Sequence, residues 1–295
     1  MSHSSHPDHP LHKSHPRSFE ANRYVYPVLS RRAEGISIGV NLNVDKVCNF
    51  NCIYCQVDRG GPAETERVDL KRLAEELEWM VELVVSDRLY EQPRFRDVPP
   101  PLRRLNDIAL SGDGEPTASP EFERVVEICA EARRRHGLDG MKLVLITNAG
   151  LLHRPPVRRA LEVLDANGGE IWAKLDAGTE AFYRAVNRSA VPWRRILDNL
   201  RDAARARPIV VQSLWTQIWG EPPPTAELEA YCDRLQEIVS GGGRIKLVQV
   251  HTIARRPAET WATALSDAEL DAVAELVRRR TGLSTATFHG GVVSG

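Results

Sequence analysis

No run of apolar residues in this sequence approaches the ~20 that a membrane-spanning helix needs, and the N-terminus is polar, without the apolar stretch of a secretory signal. The reading is of a cytoplasmic chain without a membrane segment. Neither sign of charge is in excess: 39 Lys and Arg stand against 40 Asp and Glu, for a net charge of −1. The chain as a whole therefore carries no electrostatic signal for nucleic acid or membrane. Lysine is scarce, occurring only at positions 13, 46, 71, 142, 174 and 246, and arginine supplies the other cations. Much of that arginine lies in short runs such as Arg133-Arg134-Arg135 and Arg278-Arg279-Arg280. These read as solvated helix C-termini, where cations are favoured; a phosphate-binding face is the alternative. Cysteine is scarcer still, with five in 295 residues and none before position 48, as suits a reducing compartment. Cys129 and Cys232 are isolated within expected helices and read as small buried hydrophobes.

With 295 residues, 42% of them hydrophobic, the chain is long enough to bury one large core, as in a single domain of barrel type. Its start is set apart. His3, His6, His9, His12 and His15 recur at every third position among Ser and Pro, a composition that cannot bury a core and is expected to be disordered. The expected division is a His-rich tail over residues 1–17 and one α/β domain with a C-terminal extension over residues 18–295.

The cysteines that remain are crowded. Cys48, Cys52 and Cys55 fall within one short stretch, Lys46-Val47-Cys48-Asn49-Phe50-Asn51-Cys52-Ile53-Tyr54-Cys55. Neighbouring thiolates are stable when a metal neutralises them, whereas an odd number of near neighbours explains disulfides poorly. A structural zinc would need a fourth ligand, and no second Cys-x-x-Cys or His-x-His pair follows at zinc-finger spacing. An iron–sulfur cluster held by three cysteines keeps one iron open for a small molecule.

The Cys-x3-Cys-x2-Cys spacing, with Tyr54 just before the last cysteine, resembles the signature of the radical S-adenosylmethionine (SAM) superfamily. The resemblance implies a [4Fe–4S] cluster on Cys48, Cys52 and Cys55 whose open iron binds the amino and carboxylate groups of SAM. It also implies reductive cleavage of SAM to a 5′-deoxyadenosyl radical, which takes hydrogen from a substrate, and a one-electron donor of flavodoxin or ferredoxin type.

The pattern around the cysteines is that of alternating strands and helices. Strands are expected over 36–44, 107–111, 141–147, 171–176, 209–215 and 244–250. Helices are expected over 70–89, 122–135, 155–166, 179–187, 193–206, 226–239 and 266–280. Residues 18–31 read as a lead-in packed across the end of a barrel. Strand–helix alternation argues for a parallel sheet with right-handed crossovers. The family resemblance implies an incomplete (β/α)6 barrel of the TIM-like, radical SAM type, open on one side. The cysteine stretch follows the first of these strands, where such barrels place their chemistry.

After the second strand comes Gly112-Asp113-Gly114-Glu115-Pro116-Thr117, a turn whose glycines allow close backbone approach and whose proline stiffens the corner. Asp113-Gly114-Glu115-Pro116 resembles the family's Gly-Gly-Glu-Pro motif, which receives the SAM amino group, with Asp in place of the first glycine. Read alone, it is an ordinary strand-to-helix turn with Glu115 as a cap. Further cofactor-facing candidates stand at later strand ends: Asn148, Lys174, Asp176, Gln212 and Ser213, with His251 and Arg255 beyond them. Lys174 and Asp176 alternate along one strand and would both point inward, toward SAM or into an internal salt bridge. His251 reads first as a structural histidine. The sequence assigns no catalytic side chain.

In closer detail the chain resembles the branch of the superfamily related to the wyosine-forming tRNA enzymes. The resemblance is carried by Asn41-Leu42-Asn43, by Cys55-Gln56-Val57-Asp58-Arg59, by Ser111 to Thr117, and by residues 248–259. One departure matters: the archaeal members carry additional cysteines ahead of this motif for a second cluster, and residues 1–47 here contain none. Their pyruvate-binding lysine has no evident equivalent either. The expected reaction is thus a different one, on RNA (tRNA first) or a nucleoside, or else on a peptide or small metabolite. A non-catalytic metal-binding or electron-transfer role is the third reading.

Overall fold

A computed structural model describes residues 9–12, 17, 19–57 and 67–290. The expectation of a disordered His-rich tail falls mainly on residues outside these. The first strand, β1 (Val25–Ser30), turns back antiparallel onto β2 (Gly35–Val40), pairing Val25 with Val40 and Ser30 with Gly35. The cysteine loop follows, then α1 (Leu70–Val85), β3 (Leu105–Leu110), α2 (Phe122–Arg135), β4 (Lys142–Thr147), α3 (Pro155–Ala166) and β5 (Gly169–Lys174). Next come α4 (Glu180–Asn187), α5 (Trp193–Ala206), β6 (Ile209–Leu214), β7 (Thr216–Ile218) and α6 (Thr225–Ser240). The chain continues through β8 (Ile245–His251), β9 (Ala262–Ala264), α7 (Asp267–Thr281) and β10 (Thr285–Phe288).

The main sheet has eight strands in the order β1-β2-β3-β4-β5-β6-β8-β10, parallel from β2 onward, while β7 and β9 form a separate antiparallel ribbon. Side chains from every strand of the main sheet line one cavity, so the sheet is curled into an incomplete barrel with β1 and β10 as its edges.

The period-2 alternation of the strands divides the barrel wall. Ile36, Ile38, Val40, Ile108, Leu110, Leu143, Leu145, Ile171, Val211, Val248 and Val250 face outward into the helix layer and are buried in the main core. The intervening residues face the barrel interior, where Ala109, Val144, Trp172 and Val210, with Ile146 and Leu247, form a separate apolar cluster. The helices meet the outer face with their own apolar stripes: Leu73, Leu77, Met80, Val81 and Val84 of α1 are buried. Their ends are set by local chemistry. The Asp69 carboxylate accepts from Arg72 N at 3.0 Å. Ser266 and Glu269 cap the start of α7 reciprocally, and Gly282, at φ 71°, ends it.

Four strands exceed the expectation: β7 and β9 of the separate ribbon, and the two edges of the main sheet. Residues 25–30, read as part of a lead-in, form the edge strand β1, and residues 285–288 form the opposite edge. The first strand also stops at Val40 rather than 44, because the Asn41 side chain accepts from Asn43 N at 3.0 Å and turns the chain. Helix α1 stops at Val85, where Ser86 caps it and Asp87 takes φ 62°.

Candidate active site

The cysteine loop leaves the C-terminal end of β2 and is tied down by backbone bonds from elsewhere. Asn51 N donates to Asn187 O at 3.1 Å, Ile53 N to Val186 O at 2.9 Å, and Ala258 N to Cys55 O at 2.9 Å. The Ser189 hydroxyl donates to Asn49 O at 2.7 Å. Buried Ile53 and Tyr54 anchor the loop from below, which leaves Cys48, Cys52 and Cys55 half-buried on one cavity of about 370 Å3. N–H groups approach two of the sulfurs: Phe50 N is 3.5 Å and Asn148 Nδ2 4.0 Å from Cys48 Sγ, and Asn187 Nδ2 is 3.5 Å from Cys52 Sγ. Burial, followed by the neighbouring Asp176 carboxylate, pushes the Cys52 thiol up to about 12. Without a metal it stays protonated; a metal charge would reverse that preference.

The turn after β3 locks against this loop. A Cβ at Gly114 would stand 2.0 Å from Val47 O and 2.6 Å from Asn43 Cβ, and one at Gly112 would strike Asn41 Oδ1 at 2.1 Å. Only glycine permits this approach. Asn41 Nδ2 donates to Asp113 at 2.7 Å, and Arg17 pairs with the same carboxylate. Glu115 is buried and fully used: it accepts from Thr117 Oγ1 and Thr147 Oγ1, each at 2.6 Å, and from Asn148 N at 2.7 Å. It thereby fixes the exit of β4, from which Asn148 reaches Asn49 Oδ1 at 2.6 Å.

The strand-end candidates divide. Asn148, Lys174 and Gln212 line the cavity together with Gly114, Glu115, His251 and Arg255. Gln212 donates to Gln249 Oε1 at 2.8 Å. Asp176 is almost wholly buried: it accepts from Tyr54, from Asn187 Nδ2 at 2.9 Å and from Leu214 N at 2.9 Å, with Lys174 Nζ at 3.4 Å. Lys174 also lies 4.9 Å from the centre of the Tyr54 ring. Ser213 is not brought to the cavity. Its neighbours Gln212 and Leu214 face inward, so Ser213 faces the helices, fully buried near Tyr231. Asp113 and Pro116 belong to the turn but are not among the cavity-lining residues.

The radical SAM superfamily model matches residues 42–216, which take in the cysteine loop, the Gly112–Thr117 turn and the strands through β6. The chain belongs to the radical SAM superfamily. Radical SAM enzymes use a [4Fe–4S] cluster and S-adenosylmethionine, and need a reductant. Among curated proteins, one called GTPase Obg from Brachyspira hyodysenteriae is 22% identical over 256 residues, covering 85% of this chain and 33% of that protein. A UPF0026 protein of Helicobacter pylori (strain J99) is 31% identical over 140 residues, 47% of this chain and 39% of that one. The chain thus spans little more than a third of the length of these relatives. A UPF0026 protein of Synechocystis is 25% identical over 210 residues, covering 70% of this chain and 69% of that one. Among solved structures, TYW1 with a lysine–pyruvate adduct bound superposes with a TM-score of 0.50 at 14% identity, covering 84% of this chain and 74% of that chain. A variant of spore photoproduct lyase does so with a TM-score of 0.50 at 10% identity, covering 81% and 73%. Both share the radical SAM fold.

The residues present fit the radical SAM cofactors. Three thiols share one cavity, N–H donors stand near the sulfurs of Cys48 and Cys52, and the buried Asn43 Oδ1 and Asn49 Nδ2 of the cysteine loop have no partner. Several residues of the radical SAM site escape sequence reasoning. Asn187 and Arg17 come from distant segments with no spacing signal. Asn41 and Tyr54 lie inside stretches that carry the family resemblance, so only their roles are new. No helix among the described residues is long and apolar enough to cross a membrane.

Proposed function

We propose that Cys48, Cys52 and Cys55 hold the cluster and that Gly114, Asn148, Lys174 and Gln212 face the SAM bound beside it. The observation that carries this is the convergence on one cavity of the three cysteines and of Gly112, Gly114 and Glu115 from the turn after β3. The bound pair supplies the reductive cleavage of SAM to a 5′-deoxyadenosyl radical. The protein's own part is placement and exclusion of water. Asp176 and Tyr54 hold the Lys174 ammonium at the cavity wall, Glu115 holds the β4 exit, and an apolar cluster around Trp172 underlies the cavity. Asp113 and Pro116 act by shaping the turn, and Asp176 by positioning Lys174. The electron enters from a flavodoxin- or ferredoxin-like donor, and an oxygen-sensitive cluster suits a reducing cytoplasm.

For the substrate we favour RNA or a nucleoside over a peptide. At the barrel mouth Trp219 and Trp261 stack at 5.2 Å and 13°, Arg188 lies 5.2 Å from the Trp261 ring centre, and Trp219 is 74% exposed. Such a platform suits a stacked base. The nearby Ala258–Cys55 hydrogen bond sets it beside the cysteine loop. Lys174 is the one lysine among the lining residues and is held against Asp176, so we do not assign it the adduct chemistry of TYW1.

The test is anaerobic reconstitution with iron and sulfide, then addition of dithionite and SAM. The protein is expected to bind iron, and to release 5′-deoxyadenosine, with both lost in Cys55→Ala. Zinc in the purified protein, or iron retained in Cys55→Ala, would overturn the assignment.

A further inference from the structure

Four arginines and Lys174 stand against two acids, Asp107 and Glu115, among the residues that line the cavity. The four are Arg17, Arg31, Arg32 and Arg255, beside His251 and Phe288. Two of them are spoken for: Arg17 pairs with Asp113, and Arg31 Nη1 donates to His289 O at 2.8 Å. The other two are not. Arg255 makes no hydrogen bond or ion pair with any described residue. Arg32 lies 5.0 Å from the centre of the Trp172 ring, and its nearest carboxylate, Asp107, already accepts from Ser37.

Arg32 is exposed and Arg255 half-buried, and both line the cavity. Burial first, then the repulsion of Arg17, Arg32 and Arg31, brings the Arg255 guanidinium down to about 10. Both remain charged at neutral pH, and the charge of Arg32 is among those that act on Arg255. The adjacent imidazole adds no counter-charge. Its buried Nε2 has no partner, and burial followed by Arg32, Lys174 and Arg31 holds it neutral. A cavity wall of this kind is complementary to an anion, and guanidinium forks match the paired oxygens of phosphate or carboxylate.

We propose that Arg32 and Arg255 form the binding site for an oxyanion of the substrate, a phosphate or a carboxylate. The site deepens the radical SAM reading and rests on it, since it assigns the anion to the molecule that shares the cavity with SAM. Phe288, stacked on His251 at 4.8 Å, walls the site on the β10 side, and Trp172 walls it on the floor.

The test is calorimetric titration of the reconstituted protein with inorganic pyrophosphate and, separately, with succinate, at low salt and without dithionite. At least one is expected to bind, which also separates phosphate from carboxylate, and Arg32→Gln and Arg255→Gln are each expected to weaken it by about tenfold or more. Arg124→Gln, on the outer face of α2, is expected to leave the affinity unchanged. Failure of both anions to bind, or affinities within about twofold in both Gln variants, would overturn the site. The titration is repeated with saturating SAM: persistence of binding supports a substrate anion, and its abolition assigns the arginines to the SAM carboxylate instead. A second readout needs no variant: modification of Arg255 by phenylglyoxal, followed by mass spectrometry, is slowed by the bound anion, and an unchanged rate counts against the proposal. Because neither readout involves SAM cleavage, anion binding without 5′-deoxyadenosine would overturn the proposed function alone, and the reverse result this site alone.

Discussion

At the scale of single residues, the cavity's inner face concentrates groups that a protein interior normally excludes, and Asp107 shows the cost. It is 4% exposed, accepts from Ser37, and is pushed up to about 6, chiefly by burial, from an ordinary value of 3.8. The unfolded chain loses this proton near the ordinary value and the folded chain does not. Stability from this group is therefore complete below about pH 4 and lost as the pH rises through about 6. The shift corresponds to about 3 kcal/mol as an order of magnitude. Asp107→Asn, which keeps an acceptor for Ser37, is expected to be more stable than the wild type at neutral pH, with the difference vanishing in acid. Urea unfolding of both proteins across that range checks it, and a pH-independent difference would refute it. Residues were legible in the sequence where a spacing ties them together, as in Cys48, Cys52 and Cys55. Where only position along a strand was available, alternation was the missing constraint. Gln212 and Ser213 are adjacent on β6, so they cannot both face the cavity, and the structure turns Ser213 outward.

At the scale of elements, the site depends on two loops that interlock more tightly than any side-chain bond would require. Gly114→Ala keeps all three cysteines but places a methyl group 2.0 Å from Val47 O, one residue before Cys48. Neither loop can yield without moving the other, so a loss of about 1–3 kcal/mol in stability is expected, together with a reduced iron content after reconstitution. Gly140→Ala is the control, since nothing lies within 4 Å of its added Cβ; equal iron content in the two variants would show that the interlock does not matter. The motif in the turn was visible in the sequence, but this reason for its glycine was not. The same scale explains the unexpected edge strands. In residues 25–30 Pro27 interrupts the apolar run and has no N–H to give a neighbour. It is tolerated because β1 is an edge strand, a fact fixed only by the assembled sheet. Residues 285–288 are too short to signal a strand by pattern, and pair because β8 offers them an open edge.

At the scale of the whole molecule, the alternation of strands and helices made the barrel legible, whereas the gathering of cations in its cavity was not, although Arg255 stood among the strand-end candidates. Arg17, Arg32 and Arg255 are far apart in sequence and outside the arginine runs, which the fold places at the last turns of α2 and α7. Strand β10 borders that cavity and is held by its ladder to β8, the Arg31–His289 contact and the stacking of Phe288 on His251 at 14°. Removing the Phe288 ring should therefore admit water to His251. In the wild type, burial and then Arg32, Lys174 and Arg31 hold this imidazole well below its ordinary value. The folded chain refuses a proton that the unfolded chain accepts near 6.5, so acid destabilises the fold. In Phe288→Ala the burial contribution falls, His251 is expected to titrate at higher pH by NMR, and the acid-induced loss of stability to shrink. The amides of β8 from Val248 to His251 should also exchange faster, because the ladder to β10 is loosened. An unchanged His251 titration would mean that something other than the Phe288 ring keeps water from the imidazole.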